Sequence, residues 1–309
     1  MKNPKSLTRI VLYLLCLMLL AAALLPCTTM YKRNYAITIL EYHNIAAEMV
    51  SCDQTWTVSE TDFQEQMAYL NQHCHVIPLR SLLQMMRKGT RVPENTIAIT
   101  FDDGYRSNYL LAYPVMARYR IPSTIFIVGK NIETGRVGDD PALQWDDMQT
   151  MYASGLVDIQ SHSYDLHHDL LSGKQRILEP AALALAASDQ GMETPAERDR
   201  RVELDLVKSR QQIEEKLGNK VDILCWPFGA FDRNDTELAH KAGYVFAMGN
   251  VRYSNPKTSM SDIGRVVVPA GMNITDFREL VHPHKITYFQ AVQMDWIRIK
   301  YHVNHLFKK

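Results

Sequence analysis

The sequence has little cysteine and no excess of charge of either sign. Its 309 residues include five cysteines, and no two of them form a Cys-x-x-Cys pair, so a thiolate zinc site is not indicated. Basic and acidic residues balance at 34 each, which argues against a strongly basic nucleic-acid-binding protein. There is also no internal repeat and no long low-complexity segment. The length suits one α/β domain of roughly 250 residues.

Long uncharged apolar runs are also scarce, and the one long enough to suggest a targeting or membrane segment lies near the N-terminus. Three basic residues lie within residues 1–9, residues 10–25 have no charge, and Pro26 ends the run. Its length falls between a signal-peptide core of about 7–15 residues and a membrane span of about 20. We predict that residues 1–30 form an uncleaved membrane anchor that places the rest of the chain outside the cytoplasm. Secretion after signal cleavage is the alternative.

The rest of the sequence alternates between strand-like and helix-like segments. This alternation is typical of an α/β barrel or a doubly wound sheet, in which chemistry lies at the carboxyl ends of the strands. We predict longer strands over 36–42, 97–101, 123–128, 156–159, 221–225, 244–248 and 263–268, and a short one over 76–79. We predict helices over 59–73, 81–88, 105–119 with a kink at Pro114, 144–153, 198–217, 236–241 and 275–281. Residues 171–197 are polar and alanine-rich, and we interpret them as a partly helical insertion.

Two adjacent carboxylates end the most apolar of these strands. Asp102 and Asp103 follow the strand over 97–101, and Gly104 then permits a sharp turn. Neighbouring carboxylates repel each other, and a cation or a shared proton usually holds them together. The alternative is a solvated turn that happens to contain two aspartates.

A cluster of histidines follows the strand over 156–159. His162, His167 and His168 lie within seven residues, although the whole chain has only 11 histidines. A spacing of five would place His162 and His167 on different faces of a helix, so they can converge only in a loop. Imidazoles and carboxylates are ligands of zinc and similar divalent ions. His43 ends the first strand and is expected at the same edge, unless it is a core histidine bonded to the backbone.

Together these motifs resemble the polysaccharide deacetylases, the NodB-homology domain of carbohydrate esterase family 4. The resemblance covers about residues 36–282, and its most specific parts are residues 100–104 and 162–167. Tyr42-His43 and the histidine spacing are similar to exported deacetylases of poly-β-1,6-N-acetylglucosamine, a branch with a circularly permuted domain. The resemblance implies a distorted (β/α) barrel over residues 35–284. A tail over 285–309, which has the pattern of a terminal helix, would follow it.

By this resemblance, Asp103, His162 and His167 would bind a divalent metal, with zinc first and cobalt or nickel as alternatives. Asp102 would be the general base and His43 the general acid. The Phe228 backbone N–H would donate to the oxyanion. His282 is an alternative general acid, and His168 is an alternative metal ligand. The residues expected to stack on sugar rings are Tyr105, Tyr164 and Trp226.

One position departs from the family pattern, and one possible disulfide is left open. Cys225 stands where the family often has an arginine that orients the base, and Arg265 is a candidate substitute. Cys52 and Cys74 could pair as a disulfide in an exported protein.

The implied reaction is removal of N-acetyl groups from an extracellular N-acetylglucosamine polymer, with poly-β-1,6-N-acetylglucosamine first. Peptidoglycan, chitin oligomers and acetylxylan are alternative substrates. A non-catalytic glycan-binding module is an alternative of another class, and the missing arginine is its only support. The implied partners are the polymer, the membrane and a glycan synthase, but no nucleic acid.

Overall fold

Seven parallel strands close into a barrel at the centre of the described structure, a computed structural model. It describes residues 37–47, 56–172, 177–188, 191–251, 254 and 258–282. The predicted anchor over 1–30, Cys52 and the tail over 285–309 lie outside these residues. Within the part described, no helix has both the length and the apolar character needed to cross a bilayer.

The strands that build the barrel are interspersed with short strands at its ends. In chain order the strands are β1 (Ile37–Tyr42), β2 (Asn44–Ala46), β3 (Thr57–Ser59), β4 (His75–Val76), β5 (Thr96–Phe101), β6 (Ser123–Ile127), β7 (Arg136–Val137), β8 (Asp140–Pro141), β9 (Val157–Ser161), β10 (Asp169–Ser172), β11 (Ile177–Pro180), β12 (Ala187–Ser188), β13 (Gly191–Met192), β14 (Ile223–Cys225), β15 (Phe246–Val251) and β16 (Ile263–Val267).

Helices connect most of the barrel strands. They are α1 (Glu60–His73), α2 (Leu79–Arg87), α3 (Tyr113–Tyr119), α4 (Gly129–Thr134), α5 (Trp145–Ala153), α6 (Pro195–Leu217), α7 (Arg233–Lys241) and α8 (Ile274–Val281). Two irregular helical turns accompany them, a π-helical turn at Asn108–Ala112 and a 3₁₀ turn at Pro227–Gly229.

The barrel order is β1, β16, β15, β14, β9, β6 and β5, and pairing of β1 with β5 closes the ring. All of these pairings are parallel, so every carboxyl end lies at the same edge. Strands β1 and β5 are buried along their whole length, as expected where helices cover a parallel sheet. The predicted (β/α) barrel is therefore confirmed.

Local signals located the first helix correctly. Ser59 caps α1, and its hydroxyl accepts a hydrogen bond from the Asp62 backbone N–H at 3.0 Å. Phe63 of α1 packs edge-on against Tyr42, with ring centroids 5.3 Å apart, and Tyr42 stacks on Phe101 at 5.4 Å. This aromatic cluster fixes the ends of β1 and β5 relative to each other.

Two predicted segments differ from the structure. Residues 107–119 are helical, as predicted, but they are not a regular α-helix, because a π-helical turn at Asn108–Ala112 runs directly into α3. Pro114 is the second residue of α3 and directly follows the π-helical turn. In the described part of residues 171–197, the segment before α6 has no helix and contains strands of two β-hairpins, β10–β11 and β12–β13.

Arg201 of α6 connects the described part of the insertion to that helix. The Arg201 guanidinium donates to the carbonyl oxygens of Ala181 and Ala184 at 2.9 and 2.8 Å. It also pairs with Glu193 at 2.9 Å. These contacts hold the insertion against α6, and alanine content alone did not reveal them.

Candidate active site

Polar side chains converge at the carboxyl edge of the barrel. They come from the ends of β1, β5, β9 and β14, from the loop after β9 and from within β16. The cluster consists of Glu41, His43, Asp102, Asp103, His162, His167, Cys225 and Arg265.

Asp103 lies at the centre of a potential metal-binding group. Its Oδ1 atom is 3.2 Å from His167 Nε2 and 3.6 Å from His162 Nε2. That oxygen is buried and has no hydrogen-bond partner among the described residues. Asp103 has a left-handed backbone with φ of 70°, a costly conformation that turns the chain out of β5 at this point. An unpartnered buried carboxylate oxygen beside two imidazoles fits a divalent cation.

The surroundings of the two histidines favour this use. The Cys225 carbonyl oxygen lies 2.7 Å from His162 Nδ1, which assigns the proton to Nδ1 and leaves the Nε2 lone pair for a ligand. Burial lowers the pKa of His162 to about 4, so its imidazole is neutral. The Phe228 ring packs on His167 with ring centroids 4.5 Å apart. Both imidazoles are therefore held in place.

Asp102 has a different environment from its neighbour. Arg265 binds it with two hydrogen bonds of 2.6 Å, one to each carboxylate oxygen. Burial alone would raise the pKa of Asp102, but the nearby guanidinium outweighs burial and holds the pKa below its ordinary value. Asp102 is therefore an ionised carboxylate with a fixed orientation. Arg265 thus occupies the place of the arginine that is missing at Cys225.

Arg265 also determines where a cation can bind. Two other potential ligand groups, Glu41–His43–Asp102 and Asp102–His162–Cys225, overlap with the first. Arg265 lies 3.2 Å from Glu41 and 2.9 Å from the Cys225 sulfur, so its positive charge opposes a cation at either group. Burial also raises the pKa of the Cys225 thiol well above its ordinary value, which disfavours the thiolate. The group of Asp103, His162 and His167 is the one that fits a metal.

His43 borders Asp102 on the β1 side. Its Nε2 atom is 3.7 Å from Glu41 Oε1, and its ring packs against Trp56 with centroids 4.8 Å apart. His43 and Glu41 each offer a ligand atom within 4.8 Å of an Asp102 oxygen. The imidazole therefore lies within reach of a group bound between it and Asp103.

His282 lies at the opposite end of the barrel. Its Nδ1 atom is 3.1 Å from Asn95 Oδ1, and Asn95 directly precedes β5, whereas Asp102 follows that strand. Its Nε2 atom is 3.9 Å from the sulfur of Cys74. The alternative prediction that His282 is the general acid is therefore wrong, because the whole length of β5 separates it from the site.

The aromatic residues predicted to stack on sugars divide into two groups. Trp226 is 1% exposed and Tyr164 is 8% exposed, so neither ring can be a sugar platform and those two predictions are wrong. Trp226 stacks on Phe231, and the Tyr164 hydroxyl donates to Glu133 at 2.5 Å. Tyr105 is partly exposed beside the site and stays a prediction.

His168 lies outside the cluster. It is 46% exposed, and its described ion pair is with Asp165 at 3.9 Å. Its use as a ligand in place of His167 is not supported by this geometry.

The turn after β14 is unusual in its backbone. Phe228 has φ of 59° and Gly229 has φ of 63°. A Cβ atom on Gly229 would lie 1.7 Å from the Gly249 carbonyl oxygen, so glycine is required there. This tight approach orients the Phe228 peptide and places its ring on His167.

Sequence reasoning missed Glu41 and Trp56. Glu41 is a charged residue inside an otherwise apolar strand, and that signal was available. Trp56 precedes β3, and it reaches His43 only because β3 pairs with β2, with the Asn44 N–H donating to the Trp56 carbonyl oxygen at 3.2 Å. That pairing was not visible in the sequence.

A closed parallel barrel with a carboxylate and histidine cluster at its carboxyl edge defines the class as a (β/α) barrel with a candidate metal-binding site. The family model for polysaccharide deacetylases matches residues 89–247, so the chain belongs to that family.

Curated relatives with similar sequences are named poly-β-1,6-N-acetyl-D-glucosamine N-deacetylases. The protein from Escherichia coli K12 is 24% identical over 257 residues, 78% of this chain and 38% of its own length. The protein from Staphylococcus aureus MSSA476 is 24% identical over 221 residues, 70% of this chain and 67% of its own length. The chain thus spans well under half of the first relative and about two thirds of the second.

Solved structures support the fold. A de-N-acetylase from Aggregatibacter actinomycetemcomitans superimposes with a TM-score of 0.69 at 21% identity, covering 79% of this chain and 99% of that one. IcaB from Ammonifex degensii gives a TM-score of 0.66 at 22% identity, covering 81% of this chain and 97% of that one. At these identities the likeness shows the barrel alone.

Proposed function

We propose that this protein is a metal-dependent N-deacetylase of an extracellular N-acetylglucosamine polymer, with poly-β-1,6-N-acetylglucosamine as its substrate. The observation that supports it best is the pair of adjacent carboxylates with opposite surroundings. Asp103 has an unpartnered oxygen that faces the imidazoles of His162 and His167, and Asp102 is an ionised carboxylate held by Arg265. The names of the relatives support the choice of polymer.

Each side chain of the cluster has a separate part in the proposed reaction. Asp103, His162 and His167 hold the metal, with zinc first and cobalt or nickel as alternatives. Such an ion would polarise the acetamide oxygen and lower the pKa of water. Asp102 accepts a proton from the attacking water as general base. The Phe228 backbone N–H donates to the oxyanion of the tetrahedral intermediate.

His43 completes the reaction at the leaving group. When the carbon–nitrogen bond of the intermediate breaks, the amine nitrogen must take up a proton, and His43 Nε2 supplies it. An imidazole suits this task because its ordinary pKa of about 6.5 lies near neutral pH. Glu41 Oε1 lies 3.7 Å from His43 Nε2. The products are acetate and a glucosamine residue in the polymer.

A non-catalytic glycan-binding module is disfavoured by the same geometry. Its only support was the arginine missing at Cys225. Arg265 provides a guanidinium to Asp102 from another strand, so the base keeps its partner.

We also propose that the chain acts outside the cytoplasm. The support is the apolar run over 10–25, which suits a membrane anchor, with secretion after cleavage as the alternative. A glycan synthase that presents the nascent polymer is a further proposed partner.

Removal of metal is expected to stop acetate release from poly-β-1,6-N-acetylglucosamine oligomers, because Asp103, His162 and His167 alone cannot polarise the acetamide. The purified full chain would be stripped with a chelator, assayed, and assayed again after addition of zinc, cobalt or nickel. Activity should fall to background and return with metal.

The same assay on chitin oligomers, peptidoglycan and acetylxylan tests the choice of polymer. Activity on one of those and none on the β-1,6 polymer would keep the reaction and overturn the substrate. Acetate release that persists in metal-free protein would overturn the metal dependence.

A further inference from the structure

A π-helical turn contacts the backbone of His43. In residues Asn108–Ala112 the helix is wider than an α-helix, and the Tyr113 N–H donates to the Asn108 carbonyl oxygen five residues earlier. π-helical turns are rare and occur frequently at functional sites. The proposed reaction has no part for the residues of this turn.

Asn108 uses its side chain on the backbone of the proposed acid. It is fully buried, and its Nδ2 donates to the His43 carbonyl oxygen at 2.8 Å. Its Oδ1 has no hydrogen-bond partner among the described residues. A buried amide oxygen without a hydrogen bond lowers the stability of the folded protein, so Asn108 destabilises the fold while it bonds to His43.

Ser107 holds the residues that follow His43. Its hydroxyl donates to Asn44 Oδ1 at 2.7 Å and accepts from the Ile45 N–H at 3.1 Å. The turn and its N-terminal residue therefore contact three consecutive residues, from His43 to Ile45. On the other face, Trp56 packs on the His43 ring.

We propose that Asn108 and Ser107 are positioning residues that set the location of the His43 imidazole relative to the leaving nitrogen. This inference rests on the proposed function of His43. The carbonyl group and the imidazole of His43 are attached to the same Cα atom, so a shift of the carbonyl also moves Nε2. Proton transfer depends steeply on such distances, because a general acid must lie within hydrogen-bond reach of its target.

The proposal makes a selective prediction, because only some leaving groups need the acid. An amine leaves as a neutral molecule after protonation, whereas 4-nitrophenolate leaves a 4-nitrophenyl ester without a proton. Asn108→Ala is therefore expected to lower amide turnover about 10- to 100-fold more than ester turnover. This is less than the factor of about 10²–10⁴ that a general acid contributes, because the acid is displaced and not removed. The measurement is kcat for acetate release from β-1,6-linked N-acetylglucosamine oligomers and for 4-nitrophenyl acetate, both with the metal-loaded full chain.

Two further variants serve as references for the ratio of amide turnover to ester turnover. His43→Ala removes the acid and should lower the amide-to-ester ratio at least as much. Asn219→Ala is the matched control, since Asn219 is also buried, donates Nδ2 to the Ile159 carbonyl oxygen at 2.7 Å and has an unpartnered Oδ1 among the described residues. It does not contact His43, so both activities should change together and the ratio should stay constant.

If Asn108→Ala fails to fold, Ser107→Ala tests the same idea with a smaller loss of packing and should shift the ratio in the same direction. A ratio that stays at the wild-type value in both variants while it falls in His43→Ala would overturn the proposal. Wild-type protein that never releases acetate from the amide would instead contradict the proposed function itself.

Discussion

Asp102→Asn is expected to abolish turnover while the protein still binds its metal. The amide cannot accept a proton from water, and loss of a general base costs about 10²–10⁴ in kcat. The metal group of Asp103, His162 and His167 does not include Asp102, so its affinity should change little. The measurement is kcat for acetate release together with metal content per chain after dialysis.

Asp103→Asn is the matched control, since it changes the neighbouring residue in the same way. It should lose metal as well as activity, because a neutral amide replaces the carboxylate between two imidazoles. If Asp102→Asn lost metal and Asp103→Asn kept it, the roles of the two aspartates would be exchanged. Equal metal loss in both variants would contradict the division of roles between them.

Arg265→Met is expected to lower the free energy of unfolding by about 3–5 kcal/mol, since it leaves buried carboxylates without their counter-charge. Asp102 is 2% exposed and Glu41 is 8% exposed, so water cannot replace the guanidinium. Activity should fall as well, because burial then raises the pKa of Asp102 and the carboxylate loses its fixed orientation. The measurements are urea denaturation and kcat on the same preparation.

Arg198→Met separates stability from chemistry. Arg198 is another buried arginine, and it pairs with Asp235 at 2.5 Å between α6 and α7, away from the site. Its loss should cost comparable stability but leave kcat near the wild-type value at a temperature where the variant is folded. Full activity in folded Arg265→Met would contradict the role assigned to Arg265 in holding the base.

The centre of the site could be predicted from sequence because local signals and barrel geometry agree there. An apolar run that ends in Asp102-Asp103-Gly104 is a strand with polar residues at its carboxyl end. In a parallel barrel all such ends meet at one edge. The same reasoning placed His43 and His162 beside those aspartates, without knowledge of any contact between them.

Arg265 was named from the sequence as a candidate partner of Asp102, because the family pattern implies an arginine beside the base, but the strand pattern alone could not show their contact. Arg265 is 163 residues from Asp102 in sequence, and only ring closure through β1 and β16 brings them together. The signal in the strand pattern was a charged residue within the apolar strand over 263–268. Such a residue indicates a buried partner but does not identify it.

Burial of the aromatic residues was also hidden from the sequence. Tyr164 lies next to the histidine loop, yet its ring is buried and not open to a sugar. The reason is Asp205 of α6, whose carboxylate accepts the N–H groups of Tyr164 and Asp165 at 2.8 and 2.7 Å. This contact orients the loop so that His162 and His167 face Asp103, and Tyr164 packs behind them.

The most direct test of the central claim is anomalous diffraction at the zinc edge from crystals of the zinc-loaded protein. We expect a peak bonded to Asp103, His162 Nε2 and His167 Nε2, with Asp102 still paired to Arg265. A peak among Glu41, His43 and Asp102, or no peak at this edge of the barrel in protein that releases acetate, would contradict the account.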